Sequence, residues 1–157
     1  MSIRKAWWKL ATRSGVTVVE FGGQFDERVD FSELASLEGE VEFDLAQVAR
    51  LNSTGVRAWV DFVHGLGAVR ELRFVRCAPA VVTQLNTIYN FRGPARVVSL
   101  LAPFVCETCE LEENKLLEVS ALGAPAHPAH PDFPCPRCGA AMAFDELPER
   151  YFSFLRG

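Results

Sequence analysis

Five cysteines are present in the 157-residue chain, and four of them fall in two Cys-x-x-Cys pairs, Cys106 with Cys109 and Cys135 with Cys138. Such a pair puts two thiolates on one tight turn, and two turns can close around a single tetrahedral ion. The intervening segment, 110–134, is longer than the roughly 15–20 residues of the compact zinc pattern. Its excess length falls in a run with Pro125, Pro128, Pro131 and Pro134. A proline at every third position favours extended, semi-rigid polyproline geometry. Gly139 follows the second pair and lets the backbone turn its amides toward the sulfurs, whereas Glu110 follows the first and suits that turn less well. The expectation is one structural Zn2+ per chain, held by Cys106, Cys109, Cys135 and Cys138.

Other uses of these thiols fit less well. Two disulfides would need an oxidising compartment, which nothing else in the sequence indicates. A redox Cys-x-x-Cys belongs at the strand-to-helix junction of a thioredoxin-like unit and needs no second copy. A catalytic zinc keeps one position open, and four cysteines leave none. His127 and His130, between the pairs, read as surface residues beside prolines. Cys77 reads as a small buried residue at a strand end.

A second stretch carries hydroxyl chemistry. Residues 44–63 read DLAQVARLNSTGVRAWVDFV. Val56, Trp59, Val60 and Val63 recur at i, i+3, i+4 and i+7, the apolar stripe of an amphipathic helix. Asn52 and Ser53 are good N-cap types, and Gly65 and Gly67 are stop signals. The phrase from Asp44 through Asn52-Ser53-Thr54-Gly55 resembles the signature of the STAS domain, the fold of anti-sigma factor antagonists. The resemblance covers about residues 6–105. It implies that Ser53, with Thr54 as the alternative, is a phosphoacceptor. It also implies a partner serine kinase that doubles as an anti-sigma factor and binds the unmodified domain, and a phosphatase that resets the mark. Asn52, Ser53, Thr54 and Arg57 would then line the partner-binding surface. A phosphate at a helix N-terminus is tolerated by free amides and the helix dipole, so modification would change binding rather than folding. Arg50 and Arg57 lie near enough in sequence to meet the phosphate or the partner. The chain departs from the family at Asn52, where an aspartate is usual. Asn still caps, but it lacks the charge that would help kinase recognition or magnesium-assisted transfer.

These residues must be positioned by the elements around them. Strands are expected over 6–12 and 16–21, joined by a turn at Arg13-Ser14-Gly15. Phe31, Leu34 and Leu37 suggest a helix within 26–37, capped by Asp30 or Ser32. The alternation in 41–45 reads as a strand with Val41, Phe43 and Leu45 on one face. Further strands are expected over 71–77 and 96–105. A helix starting at Pro79 carries Val81, Leu85 and Ile88. Strands alternating with helices imply an α/β fold, here a STAS-like mixed sheet with helices packed on it. The expected division is a STAS-like domain, 1–105, and a zinc-ribbon module, 106–157, whose apolar tail docks back on the protein.

Composition bounds the partners. With 49% hydrophobic and 23% charged residues the chain matches ordinary globular domains. A net charge of −4 argues against a general nucleic-acid binder. No apolar run approaches the 18 or so residues of a membrane span, and the N-terminus makes a poor signal peptide, so a cytoplasmic protein is expected. No phosphate loop and no nucleophile–base arrangement is evident, so no enzyme is expected. The function implied is protein–protein signalling in the manner of an anti-sigma factor antagonist. The alternative is a constitutive adaptor or scaffold subunit, in a homo-oligomer or a larger assembly, without phosphoregulation.

Overall fold

The computed structural model describes residues 4–123 and 131–156. Five strands form one mixed sheet in sequence order: β1 (Trp7–Arg13), β2 (Val16–Phe25), β3 (Gly39–Leu51), β4 (Val69–Val75) and β5 (Arg96–Val97). β1 runs antiparallel to β2, and the remaining pairs are parallel. At the hairpin Ser14 (φ 52°) and Gly15 (φ 80°) are both left-handed, which matches the twist of the flanking strands.

Each parallel connection steps one strand across in the same direction. Right-handed crossovers therefore put α1 (Ser53–His64) and α2 (Pro79–Thr87) on one face of the sheet. Burial follows: Val41, Phe43 and Leu45 are buried on β3, while Glu40, Glu42 and Asp44 alternate on the open face, where Arg73 of β4 pairs with Glu40, Glu42 and Glu71. Trp59 of α1 is fully buried at the centre of an aromatic core, 5.2 Å from Phe21, 5.6 Å from Phe25 and 5.7 Å from Phe74 between ring centroids. Its indole N–H donates to the Phe91 carbonyl at 3.1 Å.

The helix expected within 26–37 is a single 3-10 turn, Ser32–Leu34. Phe31, Leu34 and Leu37 are nonetheless buried, because a three-residue spacing suits a 3-10 turn. Asp26 and Asp30 accept from the backbone N–H groups of Arg28 and Ser32, two residues on, which competes with helical bonding.

The strand expected over 96–105 is two strands in two sheets. After Val98 donates to the Phe74 carbonyl at 2.8 Å, the chain enters β6 (Ser99–Val105). β6 is the centre of a second, antiparallel sheet with β7 (Glu112–Glu118) and β8 (Ala143–Phe144) on its flanks. The change of sheet thus falls at Val98, while the change of composition falls after Val105. Cys77 is the joint. Its N–H donates to Ser99, and its carbonyl accepts from Leu101 at 2.8 Å.

The C-terminal tail, α3 (Pro148–Tyr151) and the 3-10 turn Ser153–Arg156, packs on α2 and β6. Asn86 of α2 accepts from Phe154 N–H (2.8 Å) and Ser153 Oγ–H (3.0 Å), and donates to the Tyr151 carbonyl (2.9 Å). The Tyr151 hydroxyl donates to the Leu101 carbonyl at 2.7 Å. No helix among the described residues is long and apolar enough to cross a membrane.

Candidate functional site

The two cysteine turns have the same internal geometry. In the first, Cys106 N–H donates to the Leu111 carbonyl (2.8 Å) and Glu110 N–H to the Cys106 carbonyl (2.7 Å). In the second, Cys135 N–H donates to the Ala140 carbonyl (2.7 Å) and Gly139 N–H to the Cys135 carbonyl (2.8 Å). The fourth residue after the leading cysteine is left-handed in both: Gly139 at φ 79° and Glu110 at φ 66°. Glu110 therefore adopts the conformation a glycine would take there, at a cost of about 1–2 kcal/mol for a residue with a Cβ.

The second sheet brings the turns face to face. Cys106 ends the run of β6, and Cys135 lies between Phe133 and β8. Four sulfurs lie within 4.8 Å of one another. Cys106 and Cys138 Sγ are 3.5 Å apart, and Cys109 and Cys135 Sγ are 3.6 Å apart. No pair is at the roughly 2.05 Å of a disulfide. Metal–sulfur bonds of about 2.3 Å in a tetrahedron give sulfur–sulfur edges of about 3.8 Å, so the cluster has the size of a four-thiolate metal site.

Backbone donors are already aimed at the sulfurs. The N–H groups of Cys109 and Thr108 point at Cys106 and pull its thiol down to about 6. Arg137 N–H lies 3.4 Å from Cys135 Sγ, and with Cys138 N–H it holds Cys135 below the ordinary thiol value against the opposing effect of burial. The Ala140 N–H acts the same way on Cys138, but the neighbouring sulfurs and burial prevail and push that thiol up to about 11. Four thiols this close cannot all ionise without a cation among them. Ionised where a cation is bound, they are the donor set of a soft divalent ion. The residues present fit the metal expected from the spacing.

Cys77 stands apart from the cluster, fully buried, and burial pushes its thiol up. His127 and His130, with Pro125 and Pro128, lie outside the described residues.

The other candidate residues sit where β3 meets α1. Asn52 is the N-cap: its Oδ1 accepts from Gly55 N–H at 2.9 Å, and its own N–H donates to the Phe25 carbonyl at 3.1 Å. Ser53 and Thr54 are the first two helical residues, both exposed. The opening amides of a helix have no acceptor within it. Arg57 is exposed one turn on from Ser53, at the i+4 position that shares its face. Neither Arg50 nor Arg57 forms an ion pair among the described residues. Gly55 has a steric reason: a Cβ there would meet the Phe25 carbonyl oxygen at 1.9 Å. The helix start is thus pressed against the end of β2. One neighbour was not foreseen. Glu27 accepts from Asn52 Nδ2 at 3.1 Å, which puts a carboxylate beside the cap. It lies far from Asn52 in sequence, and no local pattern marks it.

No protein-family model and no curated protein matches this sequence.

Proposed function

We propose that the chain is a non-catalytic protein–protein signalling module of the STAS kind, acting like an anti-sigma factor antagonist, with one structural Zn2+ in its four-cysteine cluster. The observation that carries the signalling reading is the exposed pair Ser53 and Thr54 on the first turn of α1, directly after the capping Asn52 and one turn from the exposed Arg57. A phosphate on Ser53 would meet helix amides and the Arg57 guanidinium, while a docked partner would meet a new dianion. Incubation with candidate serine kinases from the native host, followed by peptide mass spectrometry, tests this. The expected result is phosphate on Ser53, and a partner that binds wild type but not Ser53→Asp. Unmodified Ser53 with unchanged binding of Ser53→Asp refutes it.

A second reading has its own support. Asn52 replaces the aspartate of the family and is held by Glu27, whose charge opposes a phosphate nearby. That arrangement favours a constitutive adaptor or homo-oligomeric scaffold whose contacts ignore phosphorylation. A stable co-purifying partner, equally bound by Ser53→Asp, would select it.

For the metal, a tetrahedral set of four sulfurs suits zinc or an iron–sulfur centre. Zinc is preferred here because two short Cys-x-x-Cys turns with matching backbone bonds bring four sulfurs together in one closed set. Metal analysis should find one zinc per chain, lost in Cys135→Ser. A coloured, iron-bearing preparation overturns the zinc assignment.

A further inference from the structure

The four thiols of the cluster are unequal in access. Cys106 and Cys135 are buried, Cys109 is half-buried, and Cys138 is exposed, flanked by exposed Pro136, Arg137 and Gly139. Across the two turns, Cys138 Sγ lies 3.5 Å from Cys106 Sγ. We propose that Cys138 is an oxidation site: peroxide converts it, through a sulfenic acid, into a disulfide with Cys106 that expels the metal and leaves the fold joined. The inference rests on the metal reading above.

The chemistry balances in two steps. The Cys138 sulfur, a thiolate where the ion is bound, attacks one oxygen of the peroxide, the O–O bond breaks, and the leaving hydroxide takes a proton to become water. The Cys106 thiolate then attacks the Cys138 sulfur, forms the S–S bond, and displaces hydroxide, which is protonated to a second water. Two electrons pass from the two sulfurs to the peroxide. The sulfurs close from 3.5 Å to about 2.05 Å, a movement that the glycine after Cys138 eases. The site is left with two of its four thiolates, too few for a structural ion.

The pairing matters because it crosses the two turns. A bond between Cys106 and Cys138 ties the end of β6 to the turn that precedes β8, which is the connection the metal otherwise makes. The second sheet and the tail beyond it stay in place, so a dithiol reductant and added zinc restore the site. A bond within one turn would leave the turns unlinked.

The test uses the full chain as purified, with Cys77→Ala as a second preparation to remove the fifth thiol. It is treated with hydrogen peroxide, and metal release is read with a chromogenic chelator. Disulfides are mapped by peptide mass spectrometry, and amide exchange is followed over 148–156. The expected result is loss of about 2 Da per chain, release of the bound ion in step with it, and Cys106–Cys138 as the first linkage. Tail exchange should change by less than about threefold, and reductant with zinc should reverse the whole change. Retained metal with four reduced thiols overturns the proposal. So does a first linkage within either turn, or direct passage to sulfinic acid on Cys138. A preparation that holds no metal refutes the metal reading instead, and the linkage map on that chain still decides the pairing.

Discussion

Replacing Asn86 with alanine should free the C-terminal tail without unfolding the protein. Asn86 is half-buried on α2 and makes three hydrogen bonds to the tail, at 2.8, 2.9 and 3.0 Å. Each such bond is worth about 0.5–1.5 kcal/mol net. Water can replace part of this at a half-buried site, so a loss of about 2 kcal/mol is expected for the set. The tail also buries Tyr151, Phe152 and Phe154, and each large apolar side chain contributes about 1.5–3 kcal/mol. The packing therefore outweighs the polar anchor, and the tail stays docked but opens more often. A loss of about 2 kcal/mol makes opening about thirtyfold more frequent. Hydrogen exchange followed by mass spectrometry reads this directly: amides over 148–156 should exchange about thirtyfold faster, while those of β3 and α1 keep their protection. Asn86→Asp retains the acceptor for Phe154 and Ser153 but sets a carboxylate oxygen against the Tyr151 carbonyl, so it should also accelerate tail exchange. Unchanged exchange in the tail of Asn86→Ala would refute the anchoring role. Equal acceleration across the first sheet would show that the variant acts on global stability instead.

Three further outcomes follow from the geometry. Gly55→Ala drives a Cβ to 1.9 Å from the Phe25 carbonyl oxygen, where backbone cannot yield cheaply, and should cost about 3 kcal/mol by denaturant titration; Gly67→Ala, with nothing within 4 Å, should cost nothing measurable. Glu110→Gly relieves a left-handed side-chain-bearing residue and should stabilise the cluster turn by about 1 kcal/mol, whereas Gly139→Ala should lose a similar amount with no steric clash, as read by competition with a chelator. Burial, with the nearby Glu146 carboxylate adding to it, raises the Tyr151 phenol above its ordinary value, so the neutral form stabilises the fold. That contribution is fully present below the unfolded value of about 10 and is lost as pH rises beyond it. Tail exchange should accelerate in that alkaline window in wild type, and Tyr151→Phe should abolish this dependence.

The parts of the protein that were legible before the structure are those with local causes. Two turns of Cys-x-x-Cys carry their own geometry in four residues, and so do the Ser14-Gly15 hairpin, the Asn52 cap and Pro79 at the start of α2. Alternation in 41–45 and the stripe through Trp59 likewise need only neighbouring residues to declare a buried face. Other features depended on segments distant in sequence. The run 96–105 is apolar apart from Arg96 and Ser99, and its pattern alone does not mark Val98 as the point where one sheet ends. Only the bonds from Cys77 to Ser99 and Leu101 decide that. Asn86 is an ordinary helix residue until the tail arrives to use its amide. Glu110 was the weaker residue for its turn, and the chain takes the left-handed conformation there regardless, because the neighbouring sheet closes the turn. Sequence alone determined which side chains could bind an ion, cap a helix or fill a core. Tertiary structure decided which of them meet, since that choice depends on burying apolar faces and pairing backbone groups across the whole chain.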